Sequence, residues 1–511
     1  MAATSAQQEL ALFRLARRLI HSTSLQDFSG GLNLIAAPSE LGQTETPDCM
    51  NITLDDRGGI IKRLGLSKIA NHTTTTTQPK ILYYSRALDK LLMQIGTDLY
   101  KSDDGGTTWS ASLKTFSSSA RVGMCDFLGK VVVIHPVDGA FTYDGAAFSA
   151  KVTNSPNGNT IAVWQNALWS AGDPAQTSRL TRSDLGAITW PVAPVTNDLR
   201  VKDDTAITAV IAAGVNALLV YKEESIYRVQ DSTTGAYMTL SPTYGASGPL
   251  CVALNQGTCA SLSRRGITIT DGMRNPEIVT DRIEPYFRFD QLAYSTSADW
   301  CAVVFRDRFV FSLARKGASS NNAMLEYSPA HGWIVPHSVG VQSFASYVPS
   351  TRRLLGAKVA ADTHVATFDV FKGGADDGVA ITARFQTPWF EFGGGFRFRL
   401  DHVRARGRGS FQIERRTEFA ASGVSSTFTP ATSGMLWGTG VYGTGLWGAS
   451  LYETYNDFWP WQLARAISFV MSSATSTSAT GPKLLSDGAA PEVGDFACYG
   501  LELSYSQVEL P

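Results

Sequence analysis

Short apolar runs occur in pairs through the middle of the chain, and a short polar turn joins the two runs of each pair. Apolar runs of this length that end in polar turns are typical of strands rather than helices. Seven pairs occur, and each second run starts 36 to 51 residues after the previous second run. The predicted strand pairs are Ile81–Tyr84 with Leu91–Ile95, Gly123–Leu128 with Val131–Ile134, Ile161–Trp164 with Ala167–Ser170, Ile207–Ala212 with Ala217–Tyr221, Leu250–Leu254 with Thr258–Leu262, Cys301–Phe305 with Phe309–Leu313, and Ser343–Val348 with Leu354–Ala357.

A turn rich in Asp, Gly and Thr follows the first strand pair and ends in a tryptophan. Asp side chains bond nearby backbone N–H groups and Gly supplies positive φ, so the stretch predicts a tight corner between two strands. It resembles the Asp box of sialidase-type β-propellers, Ser-x-Asp-x-Gly-x-Thr-Trp, a motif that marks blade corners rather than a catalytic centre. An ordinary β-turn is the alternative. The matching residues are Ser102, Asp104, Gly106, Thr108 and Trp109.

Shorter versions of this corner recur at Asp144, Asp184 and Asp271, and Asp104, Asp144 and Asp184 are 40 residues apart. A repeat of about 40–50 residues with four short strands is typical of β-propeller blades. Chance recurrence in a β-rich chain is the alternative. The repeat predicts an all-β fold in which a propeller of six or seven blades occupies residues 80–375.

The flanking segments have different patterns. Gln7 to Ile20 shows helical spacing of apolar residues and predicts an N-terminal helical arm over residues 1–27, which either docks on a partner subunit or lies on a membrane surface. Alternation and a Gly turn predict a hairpin from Met50 to Gly65 within an entry segment of residues 28–79, and we expect this hairpin to supply the strand that closes the propeller. Strands become longer after residue 376, which predicts a C-terminal antiparallel β-sandwich over 376–511. Within it, Leu436 to Gly448 alternates glycines with aromatics and predicts an extended loop.

Composition excludes some classes of function. The chain has 511 residues, a net charge of -1 and 17% charged residues, so no global basic field indicates nucleic-acid binding. Its six cysteines include no CxxC pair, which predicts free buried thiols in a protein made in a reducing cytosol, although Cys251 and Cys259 could pair. The longest apolar run, Ala206 to Tyr221, is too short to cross a membrane, and no signal peptide is visible, so we expect no membrane span.

The sequence predicts no catalytic residue, cofactor or metal site, because no HExxH, GxSxG, Walker A or GxGxxG motif is present. His331 and His337 have a spacing compatible with zinc, but they flank a predicted strand. A sialidase-like glycosidase is the enzymatic alternative. The acidic pair Asp281 and Glu284 beside Arg282 is its nearest candidate, and neighbouring charges of this kind more often form a solvated face.

Basic residues are concentrated in one predicted strand region of the C-terminal part. Alternate positions in a strand share a face, so their like charges could contact phosphates or an acidic partner. The alternative is a charged outer face or subunit interface, with Asp401 and Glu414 as partial counterions. The cluster comprises Arg397, Arg399, Arg404, Arg406 and Arg408.

The order of several loose motifs resembles bacteriophage tail proteins of the nozzle, or tail tubular, type. The likeness extends from about Asp27 to Ser506, and the N-terminal helix is not part of it. The motifs are 28–33, 38–41, 51–55, 59–65, 183–190, 218–228, 264–272, 376–389 and 437–447.

The resemblance implies a structural virion protein that forms a ring, a homohexamer, around the DNA exit channel of a phage tail. It implies contacts with a tail adaptor or connector, with tail fibres or spikes, and with genomic DNA that passes non-specifically during ejection. It also implies assembly in the host cytoplasm, and it carries over no catalytic residue. A tail-tip or receptor-binding propeller of a phage or phage-like particle, with a role in host attachment, is the structural alternative.

Overall fold

The computed structural model describes two compact units, and each is described separately below. Unit 1 comprises Met1–Leu64 and Ala380–Pro511, and unit 2 comprises Gly65–Val379. The structure describes residues 20–507 except 38, 55–57, 76, 201–204, 215–216, 350–351, 392–397, 410, 418–422, 429–453, 459–461, 465 and 474–495. The Gly/aromatic stretch 436–448 and the predicted helix at 7–20, apart from Ile20, therefore lie outside the described residues. The prediction of a helical arm over 1–27 is wrong at residues 20–25, which form a strand paired with Phe496–Gln507.

Unit 2 contains seven small sheets that follow one another along the chain. Sheet 1 is formed by Pro79–Ser85, Lys90–Ile95, Asp98–Ser102 and Lys114–Thr115, and sheet 2 by Gly123–Phe127, Lys130–His135 and Gly139–Tyr143. Sheet 3 is formed by Thr160–Trp164, Ala167–Ala171, Arg179–Arg182 and Thr196–Asp198. Sheet 4 is formed by Ile207–Ala212, Leu218–Lys222, Ile226–Val229 and Tyr237–Ser241. Sheets 5 and 6 are formed by Val252–Asn255, Thr258–Ser263, Gly266–Thr270 and Glu277–Ile278, and by Cys301–Phe305, Arg308–Leu313, Ala323–Ser328 and Trp333–His337.

Sheet 7 combines strands from both ends of unit 2. Leu66–Thr75 pairs antiparallel with His364–Val370, although most of unit 2 lies between them in the sequence. The other strands of sheet 7 are Ser343–Tyr347, Arg353–Val359, Ala375–Asp376 and Val379–Ala380. Two 3₁₀ helices, Asp281–Phe287 and Tyr294–Asp299, lie between sheets 5 and 6. No described helix is long and apolar enough to cross a membrane.

The seven predicted strand pairs are confirmed as the first and second strands of the seven sheets. The second strands form the interior, as in Val131 to Ile134, where four successive residues are completely buried. Two-residue turns join several first and second strands with positive φ, such as 52° at Leu128 and 71° at Gly129. Turns with both central residues at positive φ match the twist of antiparallel strands, so they hold each pair in register.

Each sheet of unit 2 packs on the next one in the chain, and sheet 7 packs on sheet 1. Shared apolar clusters join sheets 1 and 2, 2 and 3, 3 and 4, 6 and 7, and 7 and 1. The Tyr221 hydroxyl lies 3.2 Å from the Cys259 Sγ, which connects sheets 4 and 5. The Ala302 N–H donates to the Leu250 carbonyl at 2.7 Å, which connects sheet 6 to the chain that enters sheet 5.

Unit 1 is built from two antiparallel sheets and a two-stranded parallel pair, Gly31–Leu32 with Glu45–Thr46. The larger sheet contains Ile20–Leu25, Ile52–Leu54, Ile60–Lys62, Phe398–Gly409, Thr454–Phe458, Gln462–Ala464 and Phe496–Gln507. The smaller contains Cys49–Met50, Arg384–Gln386, Phe411–Thr417, Val424–Phe428 and Ile467–Ser473. Phe411, Ile413 and Arg415 are buried and alternate with half-buried neighbours, which is the pattern of a strand with one face on a core.

The hairpin predicted from Met50 to Gly65 is formed by Ile52–Leu54 and Ile60–Lys62, but its placement differs from the expected one. Ile60 and Ile61 pair with Cys498 and Ala497, so the hairpin belongs to the larger sheet of unit 1. Ile52 and Ile60 are completely buried there. The strand that joins the last sheet of unit 2 is the following segment, Leu66–Thr75.

Candidate functional site

The Asp corner, Ser102–Trp109, follows the third strand of sheet 1 and is held by hydrogen bonds to one carboxylate. Asp104 Oδ1 accepts from the Ser102 hydroxyl at 2.7 Å and from the backbone N–H groups of Thr107 and Thr108 at 3.0 and 2.9 Å. Asp104 Oδ2 accepts from the Thr108 hydroxyl at 2.6 Å. Both carboxylate oxygens therefore stabilise the turn, which is the usual use of an Asp side chain at such a position.

The negative charge of Asp104 is stabilised by hydrogen bonds from its own turn. Burial raises the pKa of Asp104, but hydrogen bonds from Thr108, Ser102 and Thr107 lower it more, so the net pKa lies below the ordinary range. A carboxylate with a lowered pKa stays ionised and is a poor general acid. This arrangement suits Asp104 to a structural role.

Two glycines bring the corner against sheet 7. Gly105 and Gly106 have φ of 72° and 90°, which a side chain rarely adopts. A Cβ on Gly106 would lie 2.9 Å from the Thr367 Cγ2, and a Cβ on Gly105 would lie 3.1 Å from the Tyr347 ring. Gly is therefore required both for the turn and for the close approach of sheet 7.

Trp109 packs between two sheets. Its half-buried ring contacts an apolar cluster that contains Leu91 and Met93 of sheet 1 and Leu355 of sheet 7. The ring also lies 6.1 Å, centroid to centroid, from His72 on the strand Leu66–Thr75. The indole Nε1 is buried without a hydrogen-bond partner among the described residues.

The related corners are also held by hydrogen bonds from the turn to the Asp carboxylate. Asp144 Oδ1 accepts from the N–H groups of Ala146 and Ala147 at 2.9 and 2.8 Å, and Asp271 Oδ1 accepts from those of Met273 and Arg274 at 2.8 Å each. At Asp184 the bond comes instead from a hydroxyl, that of Thr189, to Oδ2 at 2.8 Å.

A corner of this type that the sequence did not predict lies at Asp231, after the third strand of sheet 4. Its carboxylate accepts from the Thr233 N–H at 2.8 Å and the Thr234 hydroxyl at 2.6 Å. The Asp-x-Thr-Thr-Gly sequence could have revealed it, but no tryptophan follows.

The arginine cluster lies along the 12-residue strand Phe398–Gly409 of unit 1. The side chains of Arg404 and Arg406 are half-buried and alternate with buried Val403 and Ala405, so they share the face opposite that core. Arg399 and Arg408 are placed by their backbone alone, in register with Ser506 and Ala497, and Arg397 lies outside the described residues. In Phe411–Thr417, the next strand along the chain, the Arg416 Nε lies 2.9 Å from Glu414 Oε1.

The other predicted candidates are not assembled into a reaction centre among the described residues. Asp281 and Glu284 lie on a 3₁₀ helix, where Glu284 pairs with Arg288 at 3.2 Å. The His337 Nε2 lies 3.1 Å from Glu326 Oε2, inside sheet 6, and Arg308 also contacts Glu326. No group of three metal-ligating side chains occurs in the described part of the chain.

All six cysteines are free thiols, as the sequence predicted. Cys251 and Cys259 do not pair. The Cys251 Sγ contacts the Trp300 carbonyl at 3.3 Å, and the Cys259 Sγ contacts the Tyr221 hydroxyl. Burial raises the pKa of both thiols to about 12.

An ion pair that the sequence did not predict connects segments that enter two different sheets. Arg121, before the first strand of sheet 2, donates to Asp299 Oδ1 at 2.9 Å and to the Lys80 carbonyl at 2.8 Å. Asp299 precedes the first strand of sheet 6, and Lys80 belongs to the first strand of sheet 1. The first strands of sheets 1, 2 and 6 therefore begin close together in space.

The chain matches no family model and no curated protein. Among solved structures it aligns with a computationally designed protein, Ika8, at 10% sequence identity and a TM-score of 0.37. The alignment covers 60% of this chain and 100% of that one. A similarity this low carries no argument about fold or function.

Proposed function

We propose that this chain is a structural protein of a bacteriophage tail and that its copies form a ring, a hexamer, around the channel through which DNA leaves the particle. In this proposal unit 2 is a seven-bladed β-propeller and unit 1 is a β-sandwich platform. The ring carries an adaptor or connector on one side and fibres or spikes on the other, and it assembles in the host cytoplasm. The protein has no catalytic role.

One observation carries the propeller part of the proposal: the packing of seven successive sheets, with sheet 7 against sheet 1. Sheet 7 contains both Leu66–Thr75 and His364–Val370, so the start and the end of unit 2 share one sheet. A closed propeller can join its ends in this way, because a sheet made of strands from both ends holds the first and last blades together. With the ordered motifs that resemble tail nozzle proteins, this packing favours a nozzle subunit.

The contact between Arg121 and Asp299 favours a DNA channel between subunits. The two residues lead into sheets 2 and 6, which are not neighbours in the packing order, and their side chains meet at 2.9 Å. Duplex DNA cannot pass where such side chains touch. In the proposed assembly, several copies of the chain therefore surround the DNA.

The bonding of the Asp corners favours architecture over hydrolysis. A glycosidase needs two carboxyl groups that flank a sugar, one of them available as a proton donor. Asp104, Asp144 and Asp271 instead accept bonds from their own turns, and the pKa of each is lowered. The enzymatic alternative thus has no support from these carboxylates.

Measurement of mass tests the ring. The purified full-length chain should form a species six times the 55.1 kDa mass of one chain, seen by native mass spectrometry and sedimentation. A chain that stays monomeric under all conditions, including with its tail partners, would contradict the proposal.

Electron cryomicroscopy of particles labelled at the C terminus should place the label on the distal tube, whereas a label on the tail tip would favour a receptor-binding propeller. Cleavage of sialosides or host polysaccharide would overturn the structural role.

A further inference from the structure

The strap, residues 116–121, lies between the last strand of sheet 1 and the first strand of sheet 2. At its start Phe116 and Ser118 contact His135, the last residue of the second strand of sheet 2. At its end the Arg121 guanidinium reaches Asp299, ahead of sheet 6. The strap therefore connects a contact with sheet 2 to the place where the first strands of sheets 1, 2 and 6 begin.

The ring of His135 holds the start of the strap. His135 is completely buried, and its ring stacks on that of Phe116 with 4.8 Å between centroids and 13° between planes. The His135 Nε2 lies 3.3 Å from the Ser118 carbonyl oxygen and 3.2 Å from the Ser118 hydroxyl. One side chain of sheet 2 therefore makes both an aromatic and a polar contact with the strap.

Hydrogen bonds assign the tautomer of His135. The backbone N–H groups of Val137 and Asp138 lie 3.3 and 3.1 Å from Nδ1 and donate to it. A ring nitrogen that accepts carries no proton, so the single proton of the neutral ring is on Nε2. The Nε2–H then donates to the Ser118 carbonyl, and the neutral ring satisfies the turn and the strap together.

Asp138 binds the strap as well. Its Oδ2 accepts from the Ser117 N–H at 2.8 Å and its Oδ1 from the Ser117 hydroxyl at 2.5 Å, and Oδ2 also lies 3.2 Å from the His135 Nδ1. Ser118, His135 and Asp138 are the residue types of a hydrolase triad, but in a triad the Nδ1–H of the histidine donates to the carboxylate. Here Nδ1 accepts instead, which suits the three residues to holding the strap.

A second proton on His135 is incompatible with these bonds. It would occupy Nδ1, which would then direct an N–H at the N–H groups of Val137 and Asp138 and leave both donors without their acceptor. It would also place a charge in a completely buried ring and attract the Asp138 carboxylate, which now binds Ser117. The closed strap therefore requires the neutral ring.

The charges around the ring do not compensate for its burial. Burial lowers the pKa of His135, and Asp138 and the bond to the Ser118 carbonyl raise it by less, so the net pKa lies below the ordinary 6.5. Asp138 is the one described charged group that acts on the ring directly. Two lysines face the same turn: Lys114 acts on the Asp138 carboxylate, and Lys151 lies beside the next residue.

We propose that the contact between His135 and the strap is an acid-sensitive latch, which is closed while the ring is neutral and releases residues 116–118 when the ring is protonated. In the open strap the ring meets water, and its pKa returns to the ordinary 6.5. Because the closed strap has the lower pKa, the latch has its full strength above about pH 6.5 and weakens as pH falls below that value. Release also removes support from Arg121, at the other end of the strap.

Hydrogen exchange of the full-length chain at about pH 7.5 and about pH 5.5 tests the latch, with labelling times scaled for the intrinsic pH dependence of exchange. Protection of residues 116–120 should fall about three- to tenfold at the lower pH, since a histidine of ordinary pKa is about nine-tenths protonated there. Protection of Ile226–Val229, in sheet 4, should not change.

Variants assign the pH dependence to His135. His135→Asn places an amide oxygen near the position of Nδ1 and does not titrate, so the change in protection should shrink to less than about twofold, whatever its absolute level. Asp138→Asn keeps an oxygen for Ser117 but removes the charge that favours the protonated ring, so the midpoint of the change should move to lower pH. His331→Gln, at an exposed histidine of sheet 6, is the matched control and should keep the wild-type pH dependence.

Equal protection of residues 116–120 at the two pH values in the wild type would overturn the latch. The same conclusion would follow if His135→Asn kept the wild-type pH dependence, or if the midpoint moved to higher pH in Asp138→Asn. The wild-type and Asp138→Asn measurements decide the matter even if His135→Asn does not fold. None of them depends on the ring of subunits.

Discussion

Replacement of Trp109 by alanine should loosen the contact between sheets 1 and 7. A buried Trp side chain removes about 150–250 Å² from water. Trp109 is half-buried. Because more than half of Trp109 is buried, its apolar stabilisation at ~25 cal/mol/Å² is at least about 2–3 kcal/mol. Part of this is offset because the buried indole N–H has no hydrogen-bond partner among the described residues, at a cost of about 1–3 kcal/mol. We expect Trp109→Ala to lower the free energy of unfolding of unit 2 by about 1–2 kcal/mol.

A phenylalanine at this position provides the matched comparison. Trp109→Phe keeps an aromatic ring in the cluster and removes the indole N–H, so its loss of area and its relief of the buried donor act in opposite directions. We expect this variant to stay within about 0.5–1 kcal/mol of the wild type. The difference between the alanine and phenylalanine variants therefore measures packing.

Hydrogen exchange is the suitable assay, because a chain with two units need not unfold in one step and exchange reports each region separately. Trp109→Ala should increase exchange in Lys90–Ile95 and Arg353–Val359, one strand of sheet 1 and one of sheet 7 that contribute to the cluster on which the ring packs. Exchange in Ala167–Ala171, in sheet 3, should not change. An alanine variant that is as stable as the wild type, or a phenylalanine variant that is destabilised as much as the alanine variant, would contradict this packing role of Trp109. Faster exchange confined to sheet 1 would show that Trp109 does not connect the sheets.

Three further perturbations test separate features. Burial raises the pKa of Glu326, but His337 and Arg308 lower it more, to about 2, so the folded value lies below the ordinary 4.5. The carboxylate therefore stabilises the fold above about pH 4.5, and this contribution is lost as pH falls towards 2. In urea unfolding, Glu326→Gln should reduce the loss of unfolding free energy over this pH range. An unchanged loss would contradict the prediction. Gly106→Ala should cost at least ~1 kcal/mol more than Gly129→Ala, since both have positive φ but only Gly106 has a neighbour within 4 Å; equal thermal shifts would refute the clash. Cys251 and Cys259, with pKa raised to about 12, should react with a thiol reagent near neutral pH only after denaturation, and rapid labelling of the native chain would show that they are accessible.

The strands of unit 2 could be predicted because each apolar run has a clear polar turn after it. Lys130–His135 contains the predicted Val131–Ile134 and extends it by one residue at each end. Pairing between distant segments was harder. The hairpin at 50–65 shows the alternation of a strand pair, whereas in Leu66–Thr75 only Leu66, Ile69 and Ala70 are apolar. Nothing in these local patterns indicates that the hairpin pairs with Phe496–Gln507 and that Leu66–Thr75 pairs with His364–Val370. Such long-range pairing depends on tertiary packing, which local periodicity does not encode.

The candidate sites also show that local sequence patterns do not predict contacts between distant residues. The spacing of Ser102, Asp104 and Thr108 predicted a corner because all of its hydrogen bonds are local. The pair Arg121 and Asp299 is separated by 178 residues, and neither residue lies in a motif. The sequence shows Glu326 as an acidic residue within the apolar run Met324 to Tyr327. It does not show its partners, His337 and Arg308, which come from the two flanking strands. Side chains that meet through the fold have no fixed spacing for a sequence pattern to detect.

The position of the Asp corner explains why it is the best formed of its type. Sheets 2 to 6 each follow their packing neighbour along the chain, so the connecting segment already keeps the two together. Leu66–Thr75 of sheet 7 leads directly into sheet 1, but the other strands of sheet 7 reach sheet 1 from far along the chain, as Leu82 and Ser343 do across 261 residues, and a longer closed loop costs more entropy. This joint is correspondingly rich in side-chain contacts: the Leu82 N–H donates to the Ser343 hydroxyl at 2.8 Å, Tyr84 meets Tyr347 edge to face at 4.9 Å, and His72 meets Tyr100 at 4.3 Å. Trp109, Gly105 and Gly106 add to the same joint, so the complete motif stands where strands from both ends of unit 2 meet sheet 1.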